Sequence, residues 1–122
     1  MKIRIAIAAL ILSSAPAFAQ FSAFKATFQW CGSGSPVFKF TGLPKGAVKV
    51  DMRMLDLQTP AYDHGGGVAA IAGQGLACGA LGFSSYRGPS PPSPHTYRWT
   101  IKALDASGAV LAQTTAERRF PE

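Results

Sequence analysis

Apolar and polar residues alternate along much of the chain, and this period of two restricts the possible folds more than any other feature. Apolar side chains occupy every second position in residues 24–30, 48–54 and 97–103, and residues 37–40 form a shorter, mainly apolar segment. Successive side chains of a β-strand point to opposite faces, so each segment is predicted to be a strand with one buried face. Because glycines and prolines separate these segments, the pattern predicts a mainly β, antiparallel sandwich-like domain.

The pattern is weaker in the middle and at the end of the chain. Residues 65–82 are rich in glycine and alanine, and within them 68–72 fits either one buried strand or a piece of loop. Residues 109–112 are predicted to be a strand that follows a turn. The next segment, 113–119, fits either a continuation of that strand or a last helical turn.

Residues 1–19 have the pattern of a cleavable signal peptide. Lys2 and Arg4 precede an apolar run at 5–12, and Ala17-Phe18-Ala19 provides the small-x-small site, so we expect cleavage after Ala19. A buried N-terminal strand is the alternative, but it leaves the two cations and the alanine pattern unexplained. The apolar run is too short to span a bilayer, and we expect no transmembrane segment in residues 20–122, which suffice for a single domain. The protein is therefore expected to be periplasmic or secreted.

The charge of the chain favours anionic partners without indicating nucleic acid. Twelve lysines and arginines stand against six acids, and loss of the signal peptide lowers the net charge by two from +6. Such a surplus attracts anions in general. Because no stretch of clustered basic residues is present, we expect no binding of nucleic acid.

Cys31 and Cys78 are the two cysteines of the chain. In an oxidising compartment two thiols tend to pair, so a disulfide between them is expected, and two buried free thiols are the alternative. Neither cysteine belongs to a Cys-x-x-Cys pattern or lies near histidines at ligand spacing. The sequence therefore supports neither redox catalysis nor a structural zinc.

Strand parity brings one carboxylate and one imidazole toward a common point. Asp56 shares the inward parity at the end of its strand, and His95 shares the inward parity at the start of another. If these strands are antiparallel neighbours, their ends meet at one edge of the sheet. His64, after a turn, is the other histidine of the chain, and two imidazoles with an orienting carboxylate suit a phosphate or carboxylate. The alternative is that both histidines are surface turn residues.

Two separated blocks then resemble a known family. Residues 54–60, MLDLQTP, with His64 after them, are similar to the Asp-Pro-Asp-x-Pro block and pocket histidine of the phosphatidylethanolamine-binding (Raf-kinase-inhibitor-like) family. Residues 86–97, YRGPSPPSPHTY, resemble its Tyr-x-Gly-Pro-x-Pro-Pro…His-x-Tyr block, and residues 103–105 resemble the Ala-Leu-Asp of its bacterial members. The resemblance implies a central antiparallel sheet with a smaller second sheet, in a version reduced in size.

The resemblance also implies a pocket for phosphate-like headgroups. Carried over by position, its residues are Asp56, Pro60, His64, Gly88, Pro89, His95 and Tyr97. In this assignment Asp56 orients a histidine, both histidines donate to the anion, and Gly88 and Pro89 shape the wall. The chain departs from the family where Gln58 replaces a second acid and where Gly65 replaces a common aromatic residue.

These features favour a binding protein for a small anionic ligand or a phospholipid headgroup, with no cofactor, no metal and no catalytic residues. An inhibitor or adaptor that acts on a protein partner, such as an envelope protease, is the alternative. A hydrolase or a metal-binding protein is a weaker hypothesis, because the chain has no Gly-x-Ser-x-Gly or His-Glu-x-x-His motif. The serines near the second block, among them Ser85 and Ser90, are explained by turns.

Overall fold

The computed structural model describes residues 23–32, 34–82 and 85–122, and these residues form seven β-strands and no helix. The mainly β prediction is thereby confirmed. The predicted signal peptide lies outside the described residues. The strands are β1 (Lys25–Cys31), β2 (Gly34–Thr41), β3 (Lys49–Asp56), β4 (Gly66–Ala70), β5 (Gly75–Leu76), β6 (His95–Leu104) and β7 (Val110–Phe120).

The strands form two antiparallel sheets. The smaller sheet has the order β1-β2-β5, and the larger has the order β4-β3-β6-β7. Each pairing between neighbouring strands is antiparallel. In the described part of the chain, no helix is long and apolar enough to cross a membrane.

The core lies between the inner faces of the two sheets. The inward parity predicted for β3 and β6 is confirmed, since Met52 and Met54 are buried and so are Trp99 and Ile101. Across the sheets, the ring of Phe38 meets that of Trp99 edge to face, with centroids 5.2 Å apart. Full burial of side chains of this kind stabilises the fold by about 1.5–3 kcal/mol each.

Three sequence-based predictions of local structure are refined or corrected. Val48 was predicted to face inward but is 46% exposed, because β3 begins at the next residue. The glycines and proline of residues 32–36, which the sequence pattern assigns to a turn between two strands, do not all lie outside the strands, since Gly34 already begins β2. Residues 113–119 continue the strand as part of β7, so the helical alternative is wrong.

The glycine-rich middle of the chain contributes an edge strand. The strand alternative for 68–72 is correct in type, because β4 covers Gly66–Ala70, but it is not buried: Val68 is 58% exposed. A Cβ on Gly66 would overlap the carbonyl oxygen of Met52 on β3. Close backbone approach therefore requires glycine there, and this is the physical reason for a strand that lacks the usual apolar pattern.

Two contacts close the sandwich on its β1–β7 side. The indole Nε1 of Trp30 donates to the carbonyl oxygen of Arg119 at 2.8 Å, and Arg118 Nη1 donates to the carbonyl oxygen of Phe28 at 3.0 Å. The Trp30 ring also packs edge-on against Tyr97, with centroids 5.6 Å apart. These contacts hold the smaller sheet against the end of the larger sheet where β6 begins and β7 ends.

A disulfide fastens the β1–β2 hairpin to the loop after β5. It joins Cys31 and Cys78, whose Cα atoms are 5.8 Å apart and which are separated by 47 residues in the sequence. The link closes a long loop of the chain, which restricts the unfolded state more than the folded one.

Candidate functional site

The candidate site forms where β3 ends and β6 begins. These strands are antiparallel neighbours, and their register places Asp56 opposite Tyr97. One carboxylate oxygen of Asp56 lies 2.7 Å from Nδ1 of His95, so the structure brings together the pair that strand parity predicted. The loops after β3 and before β6 complete the walls.

Asp56 is 4% exposed, and a short turn fixes its carboxylate. Its Oδ1 accepts the backbone N–H of Gln58 at 2.9 Å and that of Thr59 at 3.2 Å, while Oδ2 faces His95. Burial by itself opposes ionisation. The hydrogen bonds from His95 and from the backbone, together with the charge of His95, outweigh that effect and hold the pKa of Asp56 below its usual 3.8. The carboxylate is therefore ionised at neutral pH.

His64 is also 4% exposed, and its ring is anchored by backbone groups. Its Nδ1 lies 2.7 Å from the carbonyl oxygen of Arg87, and its own carbonyl oxygen accepts the Arg87 N–H at 2.9 Å. The ring centroid is 4.6 Å from that of Tyr62 and 5.4 Å from that of Tyr97. A residue packed in this way is not the surface turn residue of the alternative interpretation.

The hydrogen bonds of the two imidazoles determine their tautomers. A carbonyl oxygen and an ionised carboxylate can only accept, so Nδ1 carries the hydrogen in both His64 and His95. Nε2 is then the nitrogen that each ring has left for a ligand. It accepts a hydrogen bond when the imidazole is neutral, and it donates a charge-assisted one when the imidazole is protonated.

The cleft between these groups has a volume of about 290 Å³. Five of the seven predicted pocket residues line it, namely Asp56, His64, Gly88, His95 and Tyr97. The other two, Pro60 and Pro89, are not among its lining residues. Pro60 is exposed, because the turn that caps Asp56 directs the following residues toward solvent. Pro89 is half-buried beside the cleft.

Sequence reasoning missed five lining residues, which are Thr59, Tyr62, Ser90, Pro91 and Pro92. Three of them belong to the Pro-rich block before His95 and were given no ligand-binding role there. Tyr62 carried a weaker signal, an aromatic residue in a polar loop two positions before His64. Its ring packs against the imidazole of His64 and supplies an aromatic wall, although position 65 is a glycine and not an aromatic residue.

The backbone conformation and the close neighbours at position 65 require glycine. Its φ is +72°, and a Cβ there would overlap the carbonyl oxygen of Ser85. Gln58 likewise has a defined place, because its Oε1 accepts the N–H of Thr96 at 2.8 Å. The Gln58 side chain therefore joins the loop after β3 to the start of β6.

Tyr97 adds a phenol to the buried end of the cleft. Burial, followed by the negative charge of Asp56, raises its pKa to about 12. The phenol therefore keeps its proton at neutral pH and can donate a hydrogen bond. Among the described residues, no three His, Cys, Asp or Glu side chains are grouped so that they could hold a metal ion.

Comparison with known proteins gives a fold relative. Neither a protein-family model nor a curated protein matches the chain. Among solved structures, the chain is similar to CT736 of Chlamydia trachomatis, described as a phosphatidylethanolamine-binding protein homolog. The two are 20% identical, the match covers 80% of this chain and 95% of that one, and the TM-score is 0.52. The predicted fold, an antiparallel sandwich of the phosphatidylethanolamine-binding protein type, is confirmed.

Proposed function

We propose that the chain is an exported member of the phosphatidylethanolamine-binding protein family and that its cleft binds a small oxyanion, either free phosphate or a phospholipid headgroup. The observation that carries the proposal is the pair of oriented imidazoles. Each has Nδ1 fixed by an acceptor, Asp56 for His95 and the Arg87 carbonyl for His64, so each presents Nε2 to a ligand.

Both imidazoles become donors when they are protonated, which suits a ligand with several acceptor oxygens. Charge-assisted hydrogen bonds of this kind are roughly twice as strong as neutral ones. The phenol of Tyr97 supplies a third donor. A volume of about 290 Å³ is at the small end of the range for ligand sites and suits a headgroup better than an acyl chain.

Binding is favoured over catalysis by the hydrogen bonds around the rings. The Asp56–His95 pair resembles the acid and base of a catalytic triad, and Ser90 lines the same cleft. In the described ranges, however, neither imidazole is hydrogen-bonded to a serine oxygen. We therefore propose no serine nucleophile in this cleft.

The proposal of export is supported by two features. The N-terminal sequence has the charge, apolar run and cleavage pattern of a signal peptide, and the Cys31–Cys78 disulfide is typical of proteins outside the cytoplasm.

The test is an NMR titration of residues 20–122 with inorganic phosphate, acetate and dihexanoylphosphatidylethanolamine from about pH 5 to pH 8, the range in which histidine changes charge. We expect the imidazole signals of His64 and His95 to shift with ligand and the affinity to fall as pH rises. The variant His64→Gln/His95→Gln should lose binding. The control Lys102→Gln, on an exposed residue of β6, should keep it. Binding by the double variant as tight as that of the parent would overturn the proposal.

A further inference from the structure

A second cleft lies on the other side of His64. It has a volume of about 280 Å³ and is formed by β3, the start of β4 and the segment before Gly88. Its lining residues are Arg53, Asp63, His64, Ser85, Arg87 and the glycines 65–67. We call it the arginine cleft. It shares His64 with the first cleft, between Asp56, His64 and His95, which we call the headgroup cleft, and no other residue is common to the two.

Two arginines line the arginine cleft, and both belong to segments held by main-chain hydrogen bonds. Arg53 is an exposed, outward-facing residue of β3 whose partner across the ladder is Gly66. Arg87 is fixed beside His64 by the two hydrogen bonds between their backbone and ring atoms. Two arginines are thereby positioned at one concavity by main-chain contacts.

These two arginines differ from others at the same end of the sandwich. Arg98 is paired with Glu117 at 2.7 Å, and Arg118 is paired with Glu122. Within the described ranges, neither Arg53 nor Arg87 has a carboxylate oxygen within 4.0 Å.

One acid, Asp63, also lines the cleft, and its Oδ1 accepts the N–H of Gly65 at 2.7 Å. Two cations against one acid leave an excess of positive charge.

The glycines keep the space beside the guanidinium groups open. A Cβ at position 65 would overlap a carbonyl oxygen, and so would one at position 66, so the close approach of the backbone excludes any larger residue. A side chain at position 66 would also have lain directly across from Arg53. The cleft therefore follows from the close pairing of β4 with β3, and the side chains that line it are polar.

We propose that the arginine cleft is a second oxyanion site, which binds a phosphate, sulfate or carboxylate group through Arg53 and Arg87. The guanidinium fork matches the paired oxygens of such groups, and it is the preferred partner where planar, bidentate recognition is needed. Apart from the shared His64, the residues of this site do not line the headgroup cleft. It therefore gives the protein two oxyanion sites, one on each side of that imidazole.

The test follows the side-chain Nε–Hε signals of Arg53 and Arg87 by NMR while inorganic phosphate is added to residues 20–122. We expect both signals to shift and saturate. The variant Arg53→Gln/Arg87→Gln should weaken phosphate binding at this cleft about tenfold to a hundredfold, as loss of hydrogen bonds to charged groups does. The variant Arg53→Lys/Arg87→Lys keeps the charge but not the fork, so it should weaken binding by an intermediate factor.

The matched control is Lys102→Gln/Arg119→Gln, which removes two positive charges from exposed residues outside the cleft. It should leave the affinity within about twofold. An equal loss in this control would refute the site, because general attraction would then explain the binding. A wild-type titration in which neither arginine signal moves would refute it without any variant.

Two further readouts separate this site from the headgroup cleft and identify the source of the anion. The imidazole of His95 reports on the headgroup cleft alone, because His95 does not line the arginine cleft. Arginine shifts without a His95 response support the second site even if the proposed function fails. A parallel titration with dihexanoylphosphatidylglycerol tests whether a lipid phosphate also enters. Saturation by inorganic phosphate or by the lipid supports the site. Comparison of the two titrations shows whether the cleft binds a lipid phosphate or a free oxyanion.

Discussion

Replacement of Asp56 by asparagine should destabilise the protein at pH 7 by about 1.5–3 kcal/mol, the usual contribution of a hydrogen bond to a charged group. The substitution nearly preserves the shape of the side chain. Its amide oxygen can still accept the backbone N–H groups of Gln58 and Thr59, which now bond to the carboxylate at 2.9 and 3.2 Å. The amide nitrogen, however, faces Nδ1–H of His95, and two donors meet. The variant therefore loses the bond to His95 or forces the ring into its other tautomer.

The effect should depend on pH in a direction that the pKa of Asp56 determines. That pKa is lower in the folded protein than its ordinary value of 3.8. A depressed carboxyl pKa stabilises the fold at every pH above the unfolded value, and the contribution is lost as the pH falls through the folded value. The difference between parent and Asp56→Asn should therefore be complete at pH 7 and shrink below about pH 4.

Urea unfolding of parent and variant at pH 7 and at about pH 3 measures this difference. The control is Asp51→Asn, a half-exposed carboxylate on the outer face of β3, for which we expect less than about 0.5 kcal/mol. Nitrogen shifts of the His95 ring should show the change of tautomer directly. The reasoning is refuted if Asp56→Asn is as stable as the control and Nδ1 of His95 keeps its hydrogen.

Two further predictions concern the disulfide and the buried phenol. The variant Cys31→Ser/Cys78→Ser should lose about 4 kcal/mol of unfolding free energy on the chain-entropy estimate for a loop of this length. Urea unfolding checks it, and a loss under about 1 kcal/mol would contradict that estimate. The pKa of Tyr97 rises from 10.0 to about 12 on folding, so its contribution is present below about pH 10 and is lost as pH rises through about 12. The loss of stability over that range should be smaller in Tyr97→Phe than in the parent by up to about 2.7 kcal/mol, and equal losses in urea titrations would contradict the assignment.

The central pair of the site was predictable because it lies on regular strands. A period of two assigns Asp56 and His95 to inward faces, and antiparallel pairing of β3 and β6 then brings their ends together. The position of this pair can therefore be predicted without knowledge of the loops. The walls were not predictable in the same way, since Tyr62 and Ser90 belong to irregular segments whose direction depends on hydrogen bonds between distant residues. The link from Gln58 to Thr96 is one such bond.

The edge strand shows a second limit of the sequence pattern. β4 contains Gly66 because its backbone approaches Met52 too closely for a side chain, and an exposed Val68 follows. Prediction from apolar periodicity depends on side chains that are buried on one face, and this strand has almost none. Its existence is determined by the main-chain ladder to β3, which involves residues that are distant in the sequence.

A shared fold supports a shared function only for the parts of a site that the paired strands determine, and not for the parts that the loops determine. A protein that is 20% identical can keep the sandwich while its loops change, so the likeness to CT736 of Chlamydia trachomatis extends to the architecture alone. The Asp56–His95 pair depends only on the register of two strands, and it is therefore the part of the site that the fold maintains most directly. His64 depends in addition on the main-chain bonds to Arg87. Ligand choice should therefore vary with the segment around Arg87, while the oriented imidazole of His95 persists wherever the two strands keep their register.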